Sequence, residues 1–261
     1  MSLAWIDGVA VEVDGEGDAV VLVHGLGGTS NNWTPVMGAL ARYRAIRPDL
    51  PGSGRSWKVE GPLTIERFVD GVKAACDRLQ VRRAHFVGHS LGTIVCFHLA
   101  ARFPELARSL ALFGPLLAPP DAARPNLAAR GAKARSEGVA GMQAIAEAIV
   151  QAATSTDTKT HRPVTVALVR ESLMRQDPEG YARSCEALAA AQPVDTAAIR
   201  CPVLLVTGED DAVAPPQSVR AIGDRIKDSR TVVYPRCGHW TTYERPEECA
   251  RELRAFLDSI R

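Results

Sequence analysis

The chain has 261 residues, 46% hydrophobic and 23% charged, with a formal net charge of +1. That length suits one large domain, or one domain with an inserted cap. The near-zero charge and the scattered basic residues exclude the electrostatic footprint of a nucleic-acid or anionic-membrane binder.

No run of about 18 apolar residues is present, which excludes a membrane-spanning helix. The segment Met1-Ser2-Leu3-Ala4-Trp5-Ile6-Asp7 lacks the charged and apolar regions of a signal peptide, so the expected location is cytoplasmic. Cys76, Cys96, Cys185, Cys201, Cys237 and Cys249 form no C-x-x-C and read as free, largely buried thiols.

In chain order, Val9 to Val13 alternates as a strand does, and residues 14–18 form a turn. Ala19-Val20-Val21-Leu22-Val23 is a continuous β-branched run, the pattern of a strand buried on both faces. Tyr43 to Arg47 is a further strand, ended by Pro48, and residues 49–56 form a loop. Thr64 to Arg67 opens a helix running to Leu79, with Thr64 or a near neighbour as its cap. The strand Ala84 to Val87, the helix Leu91 to Arg102 and the strand Arg108 to Phe113 follow.

From Gly114 to about Arg200 strands vanish and helical periods dominate, as in Met142 to Ile149 and Val164 to Met174. Alternation then resumes with a strand from Pro202 to Thr207, a helix from Pro216 to Ile226, a strand from Thr231 to Tyr234 and a helix from Pro246 to Ile260. Alternating β and α elements predict a mostly parallel central sheet with helices on both faces. The expected organisation is a core of residues 1–114 and 201–261, with residues 115–200 as a helical cap insert over the carboxyl edge of the sheet.

Gly88-His89-Ser90-Leu91-Gly92 falls between a strand and a helix. G-x-S-x-G occurs by chance, but at that junction it makes a sharp turn that projects a nucleophilic hydroxyl from the sheet edge. The adjacent helix N-terminus offers unpaired N–H groups. His24-Gly25-Leu26-Gly27-Gly28 directly follows a buried strand. The P-loop and dinucleotide glycine patterns are absent, so the turn reads as an oxyanion loop. The backbone N–H of Leu26 is expected to act beside that of Leu91.

Gly208-Glu209-Asp210-Asp211 follows one strand end, and Cys237-Gly238-His239-Trp240 follows the last. Alone, each carboxylate reads as a cap or turn residue and each histidine as surface or core. Together with Ser90 they complete the order Ser…Asp…His. Gly238 is expected to permit a tight turn that swings the His239 imidazole toward Ser90. His85 and His98 lie inside predicted elements, His161 in the helical region, and His89 is expected to point away from the site. His24 is expected to prop the oxyanion loop. No two histidines have metal-ligand spacing, so no metal is expected.

These motifs, with Asp49-Leu50-Pro51-Gly52-Ser53-Gly54-Arg55-Ser56, resemble the α/β-hydrolase superfamily over nearly the whole chain. The resemblance implies the α/β-hydrolase fold, a catalytic triad of Ser90, Asp211 and His239 and no cofactor. Its usual G-x-x-D spacing favours Asp211 over Asp210 as the acid.

More narrowly, Gly88 to Thr93, Leu173 to Tyr181 and Arg236 to Trp240 are similar to the 3-oxoadipate enol-lactonase branch and its esterase relatives. That implies a small ester or lactone bearing a carboxylate, cleaved through an acyl-enzyme. Cofactor-free perhydrolysis, carbon–carbon bond hydrolysis and a non-catalytic binding protein on the same scaffold are the alternatives. Trp33 and Trp240 are candidate pocket walls. Arg124, Arg130, Lys133, Arg135 and Arg175 are candidate cations for a carboxylate, and the Arg55 loop reads as structural. The expected partner is a small molecule, with neither nucleic acid nor membrane, and a homo-oligomer is left open.

Overall fold

The computed structural model describes residues 2–58 and 60–260, so Met1, Val59 and Arg261 lie outside the described residues. The strands are β1 (Ser2–Ile6), β2 (Val9–Asp14), β3 (Ala19–Val23), β4 (Arg44–Pro48), β5 (Ala84–His89), β6 (Ala107–Phe113), β7 (Val203–Gly208) and β8 (Ser229–Tyr234). They form one sheet in the order β1-β2-β4-β3-β5-β6-β7-β8. β2 runs antiparallel to both neighbours, and the pairs from β4 to β8 are parallel.

Period-two alternation explains why the inner strands read as continuous apolar runs. Val21 and Val23 of β3 join one core layer while Val20 and Leu22 join the other. Leu110, Leu112, Val203 and Leu205 likewise oppose Ala111, Phe113, Leu204 and Val206. Such strands need apolar cover on both faces. Helices α1 (Ile65–Arg78) and α2 (Leu91–Arg102) cover the first face, with Ile65, Phe68, Val69, Val72 and Cys76 at helical spacing. Thr64 caps α1 by accepting from Arg67 N at 3.1 Å. The 3-10 helix Ser30–Leu40 and the last helix cover the second face.

Between β6 and β7 the described residues form no strand. This stretch holds α3 (Arg124–Ala153), α4 (Thr156–His161), α5 (Pro163–Met174) and α6 (Pro178–Ala190), and α3 is broken at Gly138. A third apolar cluster joins these helices to Trp240 and Tyr243. α7 (Pro216–Gly223), α8 (Thr241–Glu244) and α9 (Pro246–Ser259) complete the chain. Among the described residues no helix is long and apolar enough to cross a membrane.

Three elements differ from expectation. Residues 2–6 form edge strand β1, with Leu3 and Trp5 49% and 60% exposed; an apolar face turned outward gives no periodic signal of burial. α7 stops at Gly223 rather than Ile226, where the Ser229 hydroxyl donates to the Gly223 carbonyl at 2.9 Å. The last helix begins at Pro246 as expected, but an unanticipated short helix, Thr241–Glu244, precedes it; the two are separated at Arg245 (φ −136°, ψ 59°), because the residue before Pro246 is sterically kept out of the helical region.

The chain reverses its direction of travel across the sheet at β3. It passes to β4 on one side and returns to β5 on the other, which opens a crevice at the carboxyl ends of β3 and β5. Val23 pairs with Gly88, so the loops bearing Leu26 and Ser90 leave the sheet side by side.

Candidate active site

Ser90 follows β5 with φ 51° and ψ −119°, a conformation that costs a non-glycine residue about 1–3 kcal/mol. Close packing around the elbow holds it there. A Cβ on Gly92 would lie 2.1 Å from Val23 O, so α2 approaches the end of β3 as closely as backbone allows. Ser90 N donates to Phe113 O at 3.0 Å.

His239 is buried, and its Nδ1 lies 2.8 Å from Asp211 Oδ2. With the proton on Nδ1 donated to the carboxylate, the lone pair is on Nε2. That atom is buried with no hydrogen-bond partner among the described residues, in the wall of the cavity that Ser90 also lines. Asp211 Oδ1 accepts from Val213 N and Ala214 N, both at 2.8 Å. Burial works to raise the Asp211 carboxyl. The electrostatic attraction and hydrogen bond of the His239 ring, with the two backbone donors, outweigh it and hold the group below the usual carboxylate range. Asp210 is exposed. The structure thus brings Ser90, Asp211 and His239 together and leaves Asp210 outside.

Leu26 lines the same cavity, and neither Leu26 N–H nor Leu91 N–H has a partner among the described residues. His24 braces this loop. Its Nδ1–H donates to Gly25 O at 2.8 Å, and its Nε2 accepts from Leu50 N at 2.9 Å. Burial lowers the His24 pKa, which keeps the acceptor nitrogen free of a proton. Beneath it, Arg55 donates to Asp49 Oδ2 (2.7 Å), Glu12 Oε1 (2.8 Å) and Ser30 Oγ (2.9 Å), a structural network as expected of that loop.

Several residues depart from their expected places. Trp33 is fully buried against Phe113 in the second core layer and is absent from the cavity wall; its indole fills the space between the sheet and the 3-10 helix. Trp240 does line the cavity. His89 does not point away: its ring lies 5.1 Å from that of His239 and 5.3 Å from that of Trp240, and it lines the cavity. Its Nε2–H donates to His239 O at 3.0 Å, and burial, with the neighbouring His239, pushes its pKa down to about 3. Gly238 serves close approach rather than an unusual turn. A Cβ there would meet Ala153 O and Ser155 N at 2.8 Å, and the positive φ in this loop belongs to Arg236 (52°).

Gln176 and Ser172 carry no local signal and were not expected here. Ser172 Oγ donates to Gly27 O at 2.7 Å; Gln176 Nε2 lies 3.2 Å from Gly27 O and 3.3 Å from Gly28 O, and Gln176 Oε1 accepts from Gly54 N at 3.1 Å. Gln176 belongs to the stretch 173–181 already singled out by resemblance.

The cavity encloses about 590 Å³ and is lined mostly by apolar side chains. Before Gly138, α3 contributes Asn126, Arg130 and Lys133, spaced to share one helix face; after it, alanines with Ile145 and Ile149. Arg124 pairs with Asp121, Lys133 with Glu137, Arg135 with Glu179 and Glu186, and Arg175 with Glu171. Arg130 has no carboxylate partner among the described residues. No group of three or more His, Cys, Asp or Glu among these residues is arranged to hold a metal ion.

The chain belongs to the alpha/beta hydrolase family, whose pattern it matches over residues 20–252. Its fold is similar to an esterase from Thermogutta terrifontis, solved with malate bound, with TM-score 0.93 and 27% identity over 100% of this chain and 99% of that one. It is also similar to the enol-lactonase from Burkholderia xenovorans LB400, with TM-score 0.90 and 30% identity over 99% and 100% of the two chains. In sequence it is 36% identical over 104 residues to uncharacterized proteins of Mycobacterium tuberculosis, a match covering 40% of this chain and 30% of their length.

Proposed function

We propose that the protein is a serine hydrolase that cleaves a carboxylic ester or lactone of a small substrate through an acyl-enzyme. The observation that carries this reading is the Asp211–His239 hydrogen bond, which leaves the Nε2 lone pair at the wall of a cavity shared with a strained serine. His239 removes the proton from Ser90 as its oxygen attacks the carbonyl carbon. The Leu26 and Leu91 N–H groups stabilise the oxyanion. His239 then protonates the leaving oxygen and activates a water that releases the acid. Asp211 holds the tautomer and stabilises the imidazolium.

Residues 115–200 act as a cap, whose α3 faces the serine across the cavity. The apolar lining suits an apolar acyl or alcohol part. Arg130, the cavity-lining cation without a carboxylate partner among the described residues, supports a substrate whose far end carries a carboxylate. The similarity to an esterase and to an enol-lactonase agrees with both bond types.

The test is steady-state hydrolysis of p-nitrophenyl acetate and 3-oxoadipate enol-lactone, with Ser90→Ala as control and a phosphonate to label the serine. A kcat/KM for the lactone above ~10⁴ M⁻¹s⁻¹ that Ser90→Ala abolishes supports a lactonase. Activity on the acetate alone leaves an esterase. Absence of both turnover and Ser90 labelling overturns the reading in favour of a binding protein.

A further inference from the structure

The carboxylate of Glu244 has no exposed surface. A buried carboxylate is costly unless its lone pairs are satisfied. Here Oε2 accepts from Gly238 N (3.0 Å), Ser155 N (2.9 Å) and Thr158 Oγ1 (2.8 Å), and Oε1 accepts from Trp240 N (3.2 Å). No Lys or Arg pairs with the carboxylate among the described residues, so its oxygens are satisfied by N–H and O–H donors.

Two of those donors are the peptide N–H groups on either side of His239. The other two come from Ser155, the N-cap of α4, and from Thr158 in its first turn. The remaining N–H, that of His239, donates to Ala153 O at 2.9 Å, at the end of α3. Every backbone donor from residue 238 to 240 is therefore committed either to Glu244 or to the end of α3. Arg245 adds a parallel strap, donating to Pro235 O (3.3 Å), to Arg236 O and to Asp157 Oδ2 (3.1 Å). The close approach at Gly238, where a Cβ would also lie 2.9 Å from Glu244 Oε1, leaves the loop no slack.

We infer that Glu244 is a positioning residue: its carboxylate joins the His239 loop to the cap and sets where Nε2 stands relative to Ser90. This rests on the serine-hydrolase reading above. Asp211 fixes the tautomer and the tilt of the ring, but a hydrogen bond to one nitrogen leaves the ring free to pivot about it. The backbone anchor removes that freedom. Misplacement of a reacting group by about 1 Å costs up to ~100-fold in rate.

The test compares Glu244→Gln and Glu244→Ala with the unsubstituted protein on two acetates, one with a p-nitrophenolate and one with an alkoxide leaving group. An alkoxide needs the proton from His239 during its expulsion, whereas p-nitrophenolate departs with little help. Displaced imidazole therefore lowers kcat/KM by ~10-fold or more for the alkyl ester and several-fold less for the aryl ester. Glu244→Gln, which keeps one acceptor oxygen in place, recovers part of the loss. Circular dichroism and thermal unfolding identify a variant that does not fold. In that event Thr158→Val, which removes one donor from the cap side, gives a smaller loss with the same leaving-group bias. Equal fractional losses on both esters, or no loss in a folded Glu244→Gln protein, overturn the inference. Full activity in Ser90→Ala instead sinks the serine reading, so the two failures are distinguishable.

Discussion

Ser172 donates its hydroxyl to the carbonyl of Gly27 at 2.7 Å. The loop bearing Leu26 is thus held from the helical segment as well as from the sheet, and Gln176 completes the hold. Gln176→Ala leaves the buried Gly28 carbonyl and the half-buried Gly54 N–H with fewer partners, at a cost of about 1–3 kcal/mol. The expected result is a lower midpoint in urea together with a fall in kcat larger than any change in KM, since in the proposed mechanism the loop stabilises the transition state. Urea titration and steady-state kinetics on one preparation check both.

Asp211 and Asp210 adjoin in sequence and differ in burial, one enclosed beside His239 and one exposed. Asp211→Asn keeps the volume but favours the wrong imidazole tautomer, and kcat falls by ~10⁴-fold. Asp210→Asn leaves kcat essentially unchanged, because its exposed carboxylate lies outside the site, and changes stability by no more than about 0.5 kcal/mol. Comparable losses in the two variants count against the assignment of the acid.

Stability falls as pH drops below the ordinary histidine range. The unfolded chain takes up a proton on His89 near pH 6.5, but the folded protein refuses it until about pH 3. The unfolded state therefore binds more protons between these values, and by linkage it gains ground as pH falls. His89 alone accounts for about 2 kcal/mol between neutral pH and pH 5. His85, pushed down to about 4 mainly by burial, and His24 act in the same direction. Asp211 has a depressed pKa, so its contribution is present above the usual carboxylate range and is lost at lower pH still. Urea unfolding at pH 7, 6 and 5 measures the slope, and His89→Asn reduces it by about one proton.

Trp33 and Trp240 give opposite signatures. Truncating Trp33 to Ala opens a hole between the sheet and the 3-10 helix and costs about 3–5 kcal/mol, with KM ratios between esters unchanged. Trp240→Ala changes the cavity wall and shifts those ratios. Thermal unfolding and a small ester panel separate the two.

Arg130→Leu is expected to raise KM by ~10-fold for an ester ending in a carboxylate, as loss of a charge-assisted hydrogen bond implies. The same variant leaves a neutral ester of equal length unchanged. Equal effects on both esters point instead to a change in cavity shape.

Much of this molecule is written locally. Continuous β-branched runs, a capped helix after Thr64 and the glycine pattern around Ser90 each follow from short-range sterics or from the two-residue period of a strand, so they can be read from neighbouring letters. The order Ser90, Asp211, His239 is readable because each follows a strand end on a parallel sheet, where the carboxyl edge collects loops. Tertiary structure decided what depends on groups distant in sequence. Gln176 and Gly27 are 149 positions apart, and no period links them. Trp33 and Trp240 are the same residue type in similar contexts, and only packing sends one to the core and one to the cavity. Gly238 and Glu244 look like an ordinary turn and helix until the end of α3 is laid against them, because hydrogen bonds between distant segments leave no pattern in either one alone.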